Sequence, residues 1–184
     1  HIDTNFFKPI DKKLACKNVG IESENINLLY IGMFTAPYSA KSPFRFLPVF
    51  KKLVNNYNHL RLILVGDGPY RSKFIDEVNK LGIEDNILLS DGWINDKEKL
   101  GIYYNSSDLF IYPERGLSKL GSAAVVCESM SCGTPVITYS DRNRNYTDSF
   151  IYYVKQDDES FYEGVVKIIT DNDLHSKLSK NSLR

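Results

Sequence analysis

The chain has 184 residues, 42% of them hydrophobic, and its 23 basic residues balance 23 acidic ones. That length supports one core of a single domain and excludes a second full domain, since domains usually take roughly 100 to 200 residues. Zero net charge excludes a global field that would draw in nucleic acid or an anionic membrane, so any anion site must be local.

Three cysteines, Cys16, Cys127 and Cys132, are an odd number without metal or redox spacing, and they predict reduced thiols and a cytoplasmic protein. The longest apolar runs, such as Leu60 to Val65, fall far short of the roughly 20 residues of a membrane span, and no signal peptide is recognisable. The chain opens at His1 and not at methionine, which reads as a fragment whose N-terminal part is missing.

Residues 1–24 are polar apart from Phe6 and Phe7 and are expected to be an irregular linker or edge segment; residues 25–184 form the domain proper. Asn27 to Ile31 predicts a first strand. A loop rich in Pro, Ser and Ala follows, then a helical stretch from Phe44 to Tyr57, with Pro43 and Pro48 near its start, where a missing donor costs least. Leu60 to Val65 predicts a second strand closed by the turn Gly66-Asp67-Gly68-Pro69, and Tyr70 to Lys80 a helix ended by Gly82. The rhythm continues with a strand at Asn86 to Leu89, a helix at Asp96 to Tyr104 and a strand at Leu109 to Tyr112. A helix at Ser122 to Cys132, capped by Gly133, leads into a strand at Val136 to Tyr139. Ile151 to Val154 predicts a last short strand, and Ser160 to Thr170 and Asp173 to Leu183 the last helices, the second opened by a capping aspartate. Such alternation predicts an α/β fold, a Rossmann-like doubly wound parallel sheet with helices on both faces.

Ligands of that architecture sit outside the carboxyl ends of the strands, which restricts the site to the loops after strands. The loop with Ser118, Lys119 and Gly121 leads into the helix at Ser122, where small residues and unpaired N–H groups suit an oxyanion; an ordinary strand-to-helix turn explains the composition equally well. Glu128 stands on that helix among Val125, Val126, Cys127 and Met130. A carboxylate there needs a hydrogen-bonding partner, which a ribose diol would supply, or it faces solvent. Lys41 follows the first strand and would bring an ammonium near a diphosphate, although surface lysines are common. Trp93, after Gly92, suits a planar base or a core anchor. Asp67 most simply supports its own turn. His1, His59 and His175 lie outside the ligand-side loops, so neither a histidine base nor a metal cluster is expected. Glu114, Asp141 and Asp148 are ligand-side acids without the spacing of a catalytic dyad.

The stretch Glu128-Ser129-Met130-Ser131-Cys132-Gly133-Thr134-Pro135-Val136-Ile137 resembles the helix and following strand of retaining GT-B glycosyltransferases, the large group 1 family of mannosyl-, glucosyl- and N-acetylglucosaminyl-transferases. Leu62 to Pro69 is similar to that family's second strand and Gly-Asp-Gly-Pro turn, and Ser107 to Pro113 to its alanine-aspartate strand ending in proline. His1 to Pro9 looks like the segment joining its two domains. The resemblance covers nearly the whole chain and implies the donor-binding half of a GT-B enzyme. It implies that Glu128 holds the ribose hydroxyls, that the backbone of Gly121, Ser122 and Ala123 meets the phosphates and sugar, and that Lys41 neutralises the leaving diphosphate. Gly92, Trp93 and Ile94 would read the base, and Gly32 and Met33 belong to the phosphate loop. No obligatory metal or cofactor is implied.

Two positions depart from the family. Leu120 stands where the first glutamate of the pair should contact the donor sugar, with Lys119 and Glu114 the nearest charged residues; Met33 stands where an arginine usually flanks the phosphates. A lost charge-assisted hydrogen bond is worth about 1.5 to 3 kcal/mol, or roughly ten- to a hundredfold in binding. Arg142 and Arg144, after the fifth strand, are candidates to compensate.

The resulting expectation is a protein that transfers a sugar from a UDP- or GDP-sugar, with retention, to a glycan or lipid-linked acceptor in cell-surface polysaccharide or glycolipid synthesis. The acceptor side, and any contact with a membrane surface, would come from the missing N-terminal domain, and the isolated domain would bind without turning over. The alternative is a degenerate domain of the same fold that binds a nucleotide sugar or a partner protein without catalysis. A phospho-receiver-like module is disfavoured, because Ile31-Gly32-Met33-Phe34 offers no acid at the first strand's end.

Overall fold

The computed structural model describes residues 2–37, 39, 42–114, 124–140, 142, 144–148 and 150–182. Its elements in chain order are α1 (Lys12–Val19), β1 (Ile26–Ile31), a 3-10 turn (Pro43–Phe46), α2 (Leu47–Val54), β2 (Leu60–Val65), α3 (Arg71–Leu81), β3 (Ile87–Leu89) and α4 (Lys97–Asn105). There follow β4 (Leu109–Tyr112), α5 (Ala124–Ser131), β5 (Val136–Tyr139), β6 (Tyr146–Asp148), β7 (Ile151–Val154), α6 (Asp158–Thr170) and α7 (Asn172–Ser182).

The seven strands form one sheet in the order β3-β2-β1-β4-β5-β7-β6. All neighbours are parallel except β6, which runs antiparallel to β7 through Tyr146–Tyr153 and Asp148–Ile151 pairs. The order reverses between β1 and β4, and a doubly wound sheet opens its ligand crevice at that reversal. Strand side chains alternate between faces. Leu28, Tyr30, Leu62, Leu64, Leu109 and Ile111 therefore pack under α2, α3 and α6, with Phe50, Phe74 and Phe161. Leu29, Ile31, Ile63, Val65, Phe110 and Tyr112 face the other way, against Tyr104 of α4 and Val126 of α5. Each fully buried side chain of this kind contributes roughly 1.5 to 3 kcal/mol, so the double-sided core holds the strand ends in fixed register. No helix among the described residues is long and apolar enough to cross a membrane.

The segment before Asn25, expected to be irregular, contains the helix α1. Asp11 caps it by accepting from the Leu14 N–H at 3.0 Å, and Gly20 ends it in the left-handed region at φ 70°. Its buried face is only Ala15 and Cys16, too narrow a stripe to show as hydrophobic periodicity. The residues ahead of it are held as well. Asn105 accepts from the Ile10 N–H (2.7 Å) and donates to the Lys8 carbonyl (2.9 Å). A Cβ on Gly101 would lie 2.4 Å from the Phe6 carbonyl oxygen, so the glycine is what lets that segment lie on α4. Phe7 is buried edge-on to Tyr104.

The helical stretch expected from Phe44 to Tyr57 is split. It is a 3-10 turn up to Phe46 and an α-helix only over Leu47–Val54, because Pro48 lacks the N–H that would continue the ladder. Strand β6 was not foreseen in the sequence; three residues on a half-exposed edge carry too little alternation to register. Asp108 anchors the start of β4. It accepts from the Asn27 N–H (2.7 Å) and pairs with Lys12 (2.8 Å), which also donates to the Asn25 carbonyl.

Candidate functional site

Three loops leave the carboxyl ends of β1, β2 and β3 as one hydrogen-bonded unit. The Gly32 N–H donates to the Val65 carbonyl (3.0 Å) and the Phe34 N–H to the Asp67 carbonyl (2.9 Å), so the loop after β1 lies directly on the Gly66-Asp67-Gly68-Pro69 turn. A Cβ on Gly66 would sit 2.0 Å from the Gly32 carbonyl oxygen, and one on Gly68 2.6 Å from that of Phe34. The glycines of this turn thus serve backbone-to-backbone packing. Asp67 accepts from the Gly68 N–H (2.8 Å) and supports its own turn, as expected. The third loop is tied in by Ser90, whose hydroxyl accepts from the Gly66 N–H (3.1 Å) and donates to the Gly92 carbonyl (2.7 Å), while Arg71 donates to the Ser90 carbonyl.

Across the reversal, β4 ends in Tyr112-Pro113-Glu114 and α5 begins at Ala124. Between these and the loop after β1 lies a cavity of about 410 Å³, lined by Tyr30, Gly32, Met33, Thr35, Glu114 and Val125 among others. Gly32 and Met33, expected in a phosphate loop, do line it, and Met33 is 51% exposed. Glu114 is only 5% exposed and accepts a short hydrogen bond from the Tyr112 hydroxyl. Burial, with the Glu114 charge added, pushes the Tyr30 hydroxyl well above the usual phenol range; burial and the Glu114 hydrogen bond do the same to Tyr112.

Glu128 lies one helical turn beyond Ala124 and is half-buried. Its Oε2 accepts from the Tyr104 hydroxyl at 2.9 Å. Burial raises the Glu128 carboxyl above its ordinary value, against the opposing pull of the Tyr104 hydrogen bond and the Lys97 charge. The carboxylate therefore has a fixed orientation and a partner, unlike a glutamate facing solvent. Trp93 is 49% exposed, which removes the core-anchor reading and leaves the indole on the surface of the loop after β3. Gly92 takes φ 76° at the start of that loop, and Ile94 packs against the second core.

Arg142 and Arg144 are both exposed, with their guanidinium groups 5.5 and 5.7 Å from the Tyr146 ring centre, beside the Tyr146–Tyr153 stack. Lys41, Leu120, Gly121, Ser122 and Ala123 lie outside the described residues, as do Ser118, Lys119 and Asp141. Among the described residues no group of three or more His, Cys, Asp or Glu could hold a metal ion. What sequence reasoning did not single out is the set of tyrosines behind the acids. Tyr30 and Tyr112 are two inward positions on adjacent strands that end at the crevice, a signal legible once strand order is known. Tyr104 reads in sequence only as a core residue of α4.

A doubly wound sheet whose strand-end loops converge on one crevice at the order reversal places the chain among Rossmann-like α/β domains. Within that class the glycosyl transferases group 1 profile matches residues 12–184, and the chain belongs to that family. It is 24% identical over 148 residues to a chitobiosyldiphosphodolichol beta-mannosyltransferase of Debaryomyces hansenii, covering 72% of this chain and 30% of that protein. Among solved structures it resembles the C-terminal domain of the group 1 glycosyl transferase LpcC from Francisella tularensis, with TM-score 0.80 at 16% identity over 100% of this chain and 95% of that one. It also resembles HepE of Anabaena in complex with UDP and glucose, with TM-score 0.79 at 16% identity over 99% of this chain and 49% of that one. The chain thus spans under a third of that curated relative's length and about half of the HepE chain.

Proposed function

We propose that this chain is the donor-binding domain of a retaining glycosyltransferase and takes a UDP- or GDP-sugar in the crevice between β1 and β4. The observation that carries the reading is the fixed carboxylate of Glu128, half-buried one turn inside the helix that borders the cavity opposite Gly32 and Met33. A carboxylate accepts two hydroxyl hydrogen bonds from a vicinal diol, and the Tyr104 hydroxyl orients it before ligand arrives, which lowers the entropy lost on binding. That HepE was solved with UDP and glucose and with UDP-glucose supports a nucleotide sugar as the ligand class.

In this reading the ribose sits on Glu128 and the base lies against the loop of Gly92, Trp93 and Ile94. The diphosphate lies between Gly32-Met33 and the backbone of Gly121, Ser122 and Ala123, with Lys41 supplying charge. Breaking the sugar–phosphate bond builds negative charge on the diphosphate, so positive groups there stabilise the transition state more than the ground state. The acceptor, a glycan or lipid-linked sugar, and the rest of the catalytic cleft belong to the remainder of the enzyme. The reading calls for no obligatory metal or cofactor.

Calorimetric titration with UDP, GDP and ADP, with Trp93 fluorescence followed in parallel, tests this and names the base. Saturable binding of UDP or GDP that weakens roughly tenfold in Glu128→Ala is expected, the usual cost of removing a charged hydrogen-bond partner. Failure of all three nucleotides to bind at millimolar concentration would sink the reading. The degenerate-domain alternative draws on Met33 at the cavity mouth and on Leu120; transfer or hydrolysis of a labelled sugar by the full enzyme excludes it.

A further inference from the structure

Among the described residues that line the crevice cavity, Glu114 is the one acidic side chain, and its position is unusual for a carboxylate. It is 5% exposed, at the end of a strand whose four residues are all buried, in a cavity otherwise lined mainly by Ile31, Met33, Pro113, Ala124 and Val125. Burying a charge among such groups costs several kcal/mol unless hydrogen bonds repay it. The Tyr112 hydroxyl makes one of them, from a ring held by stacking on Phe110. The acid thus accepts from Tyr112 at the wall of a space of molecular size.

We infer that Glu114 is a donor-sugar contact, accepting hydrogen bonds from ring hydroxyls of the pyranosyl group and so setting which sugar the crevice takes. The inference rests on the donor-binding reading above. Two chemical facts select the sugar over the rest of the donor. A carboxylate is an acceptor only, matching hydroxyls and repelling phosphate oxygens. A site built to hydrogen-bond a hydroxyl also rejects an analogue lacking it far more strongly than an apolar pocket can. The ribose already has a carboxylate in Glu128. The cavity's volume, about 410 Å³, lies within the range of small-molecule sites.

The test compares Glu114→Gln with the unaltered chain by calorimetry, using UDP and GDP as bare nucleotides and UDP-glucose, UDP-N-acetylglucosamine and GDP-mannose as sugar probes. Glutamine keeps the volume and an oxygen for Tyr112 but loses the charge and one acceptor. The expected result is nucleotide affinity unchanged within about twofold, while the ratio of nucleotide-sugar to nucleotide Kd rises roughly ten- to a hundredfold for the preferred sugar. Tyr112→Phe, which removes the hydroxyl that orients the carboxylate and keeps the ring, should raise the same ratio several-fold with nucleotide affinity unmoved. It carries the test if Glu114→Gln fails to fold. Equal changes for nucleotide and nucleotide sugar, or tighter binding of both, would make Glu114 a neighbour of the diphosphate and overturn the inference. No binding of UDP or GDP to the unaltered chain would instead remove the donor-binding reading, and this inference with it.

Discussion

Gly66→Ala is the sharpest test of how the crevice is built. A Cβ at this position would stand 2.0 Å from the Gly32 carbonyl oxygen and 3.0 Å from its carbon, more than 1 Å inside ordinary contact, and the atoms it meets are backbone that cannot swing aside. The residue's φ of 147° adds the cost of a conformation that residues with a side chain seldom adopt, of order 1 to 3 kcal/mol. With the displacement of the Gly32 to Phe34 loop, the total should be about 4 kcal/mol. For a domain of this size a loss of 1 kcal/mol lowers Tm by roughly 2 to 4 °C, so differential scanning calorimetry should show a fall of roughly 8 to 16 °C. Gly20→Ala is the control. Its φ of 70° lies in the left-handed region, which alanine enters at modest cost, and nothing lies within 4 Å, so the substitution should cost about 1 kcal/mol. If both substitutions lower Tm by the same amount, backbone contact between the two loops is not what the glycine serves.

Other outcomes follow from the same coordinates. Because burial raises the Glu128 carboxyl above its unfolded value, this group favours folding below the normal carboxylate pKa, and that benefit is lost as pH rises through its folded value. Glu128→Gln should therefore gain on the unaltered chain as pH rises from about 4 to 7, by less than about 1 kcal/mol for a half-exposed site; urea melts at both pH values would show no divergence if the carboxylate were freely solvated. Asp108→Ala, which strips a partner from both the Lys12 ammonium and the Asn27 N–H, should destabilise by about 1 to 3 kcal/mol, read as a lower urea midpoint at unchanged slope. Cys132 is pushed up to about 12 by burial and Cys16 is raised for the same reason, while Cys127 is half-buried. A thiol reagent at pH 8 should titrate one cysteine rapidly in the native chain and three in denaturant; three rapid equivalents in the native chain would contradict the packing.

The strands whose limits were legible in sequence are those buried on both faces. Leu60–Val65, Leu109–Tyr112, Val136–Tyr139 and Ile151–Val154 are apolar runs broken only by Arg61 and Thr138, and the structure places them at those limits. Gly82 and Gly133 end or follow their helices at φ 61° and 79°, conformations that composition announces. What was not legible had its energetics elsewhere. Helix α1 is held by a cap, a C-terminal glycine and two buried residues, and β6 by pairing to β7 through Tyr146 stacked on Tyr153; neither leaves a periodic trace. In the site, Glu128 was legible because a carboxylate on an apolar helix demands a partner, yet its partner Tyr104 is 24 residues away and no local pattern points to it. Glu114 is legible as a ligand-side acid, but its burial, where the loop after β1, the end of β4 and the start of α5 meet, is a tertiary outcome. Trp93 could not be placed at all, since an indole suits a core and a surface equally.

The sheet's two outermost strands, Ile87–Leu89 and Tyr146–Asp148, are three residues each, and the second runs against its neighbour's direction. So short a rim offers a passing chain too few free backbone donors and acceptors to seed intermolecular strand addition. The five longer, oily strands between them are thereby shielded from fibril-like growth.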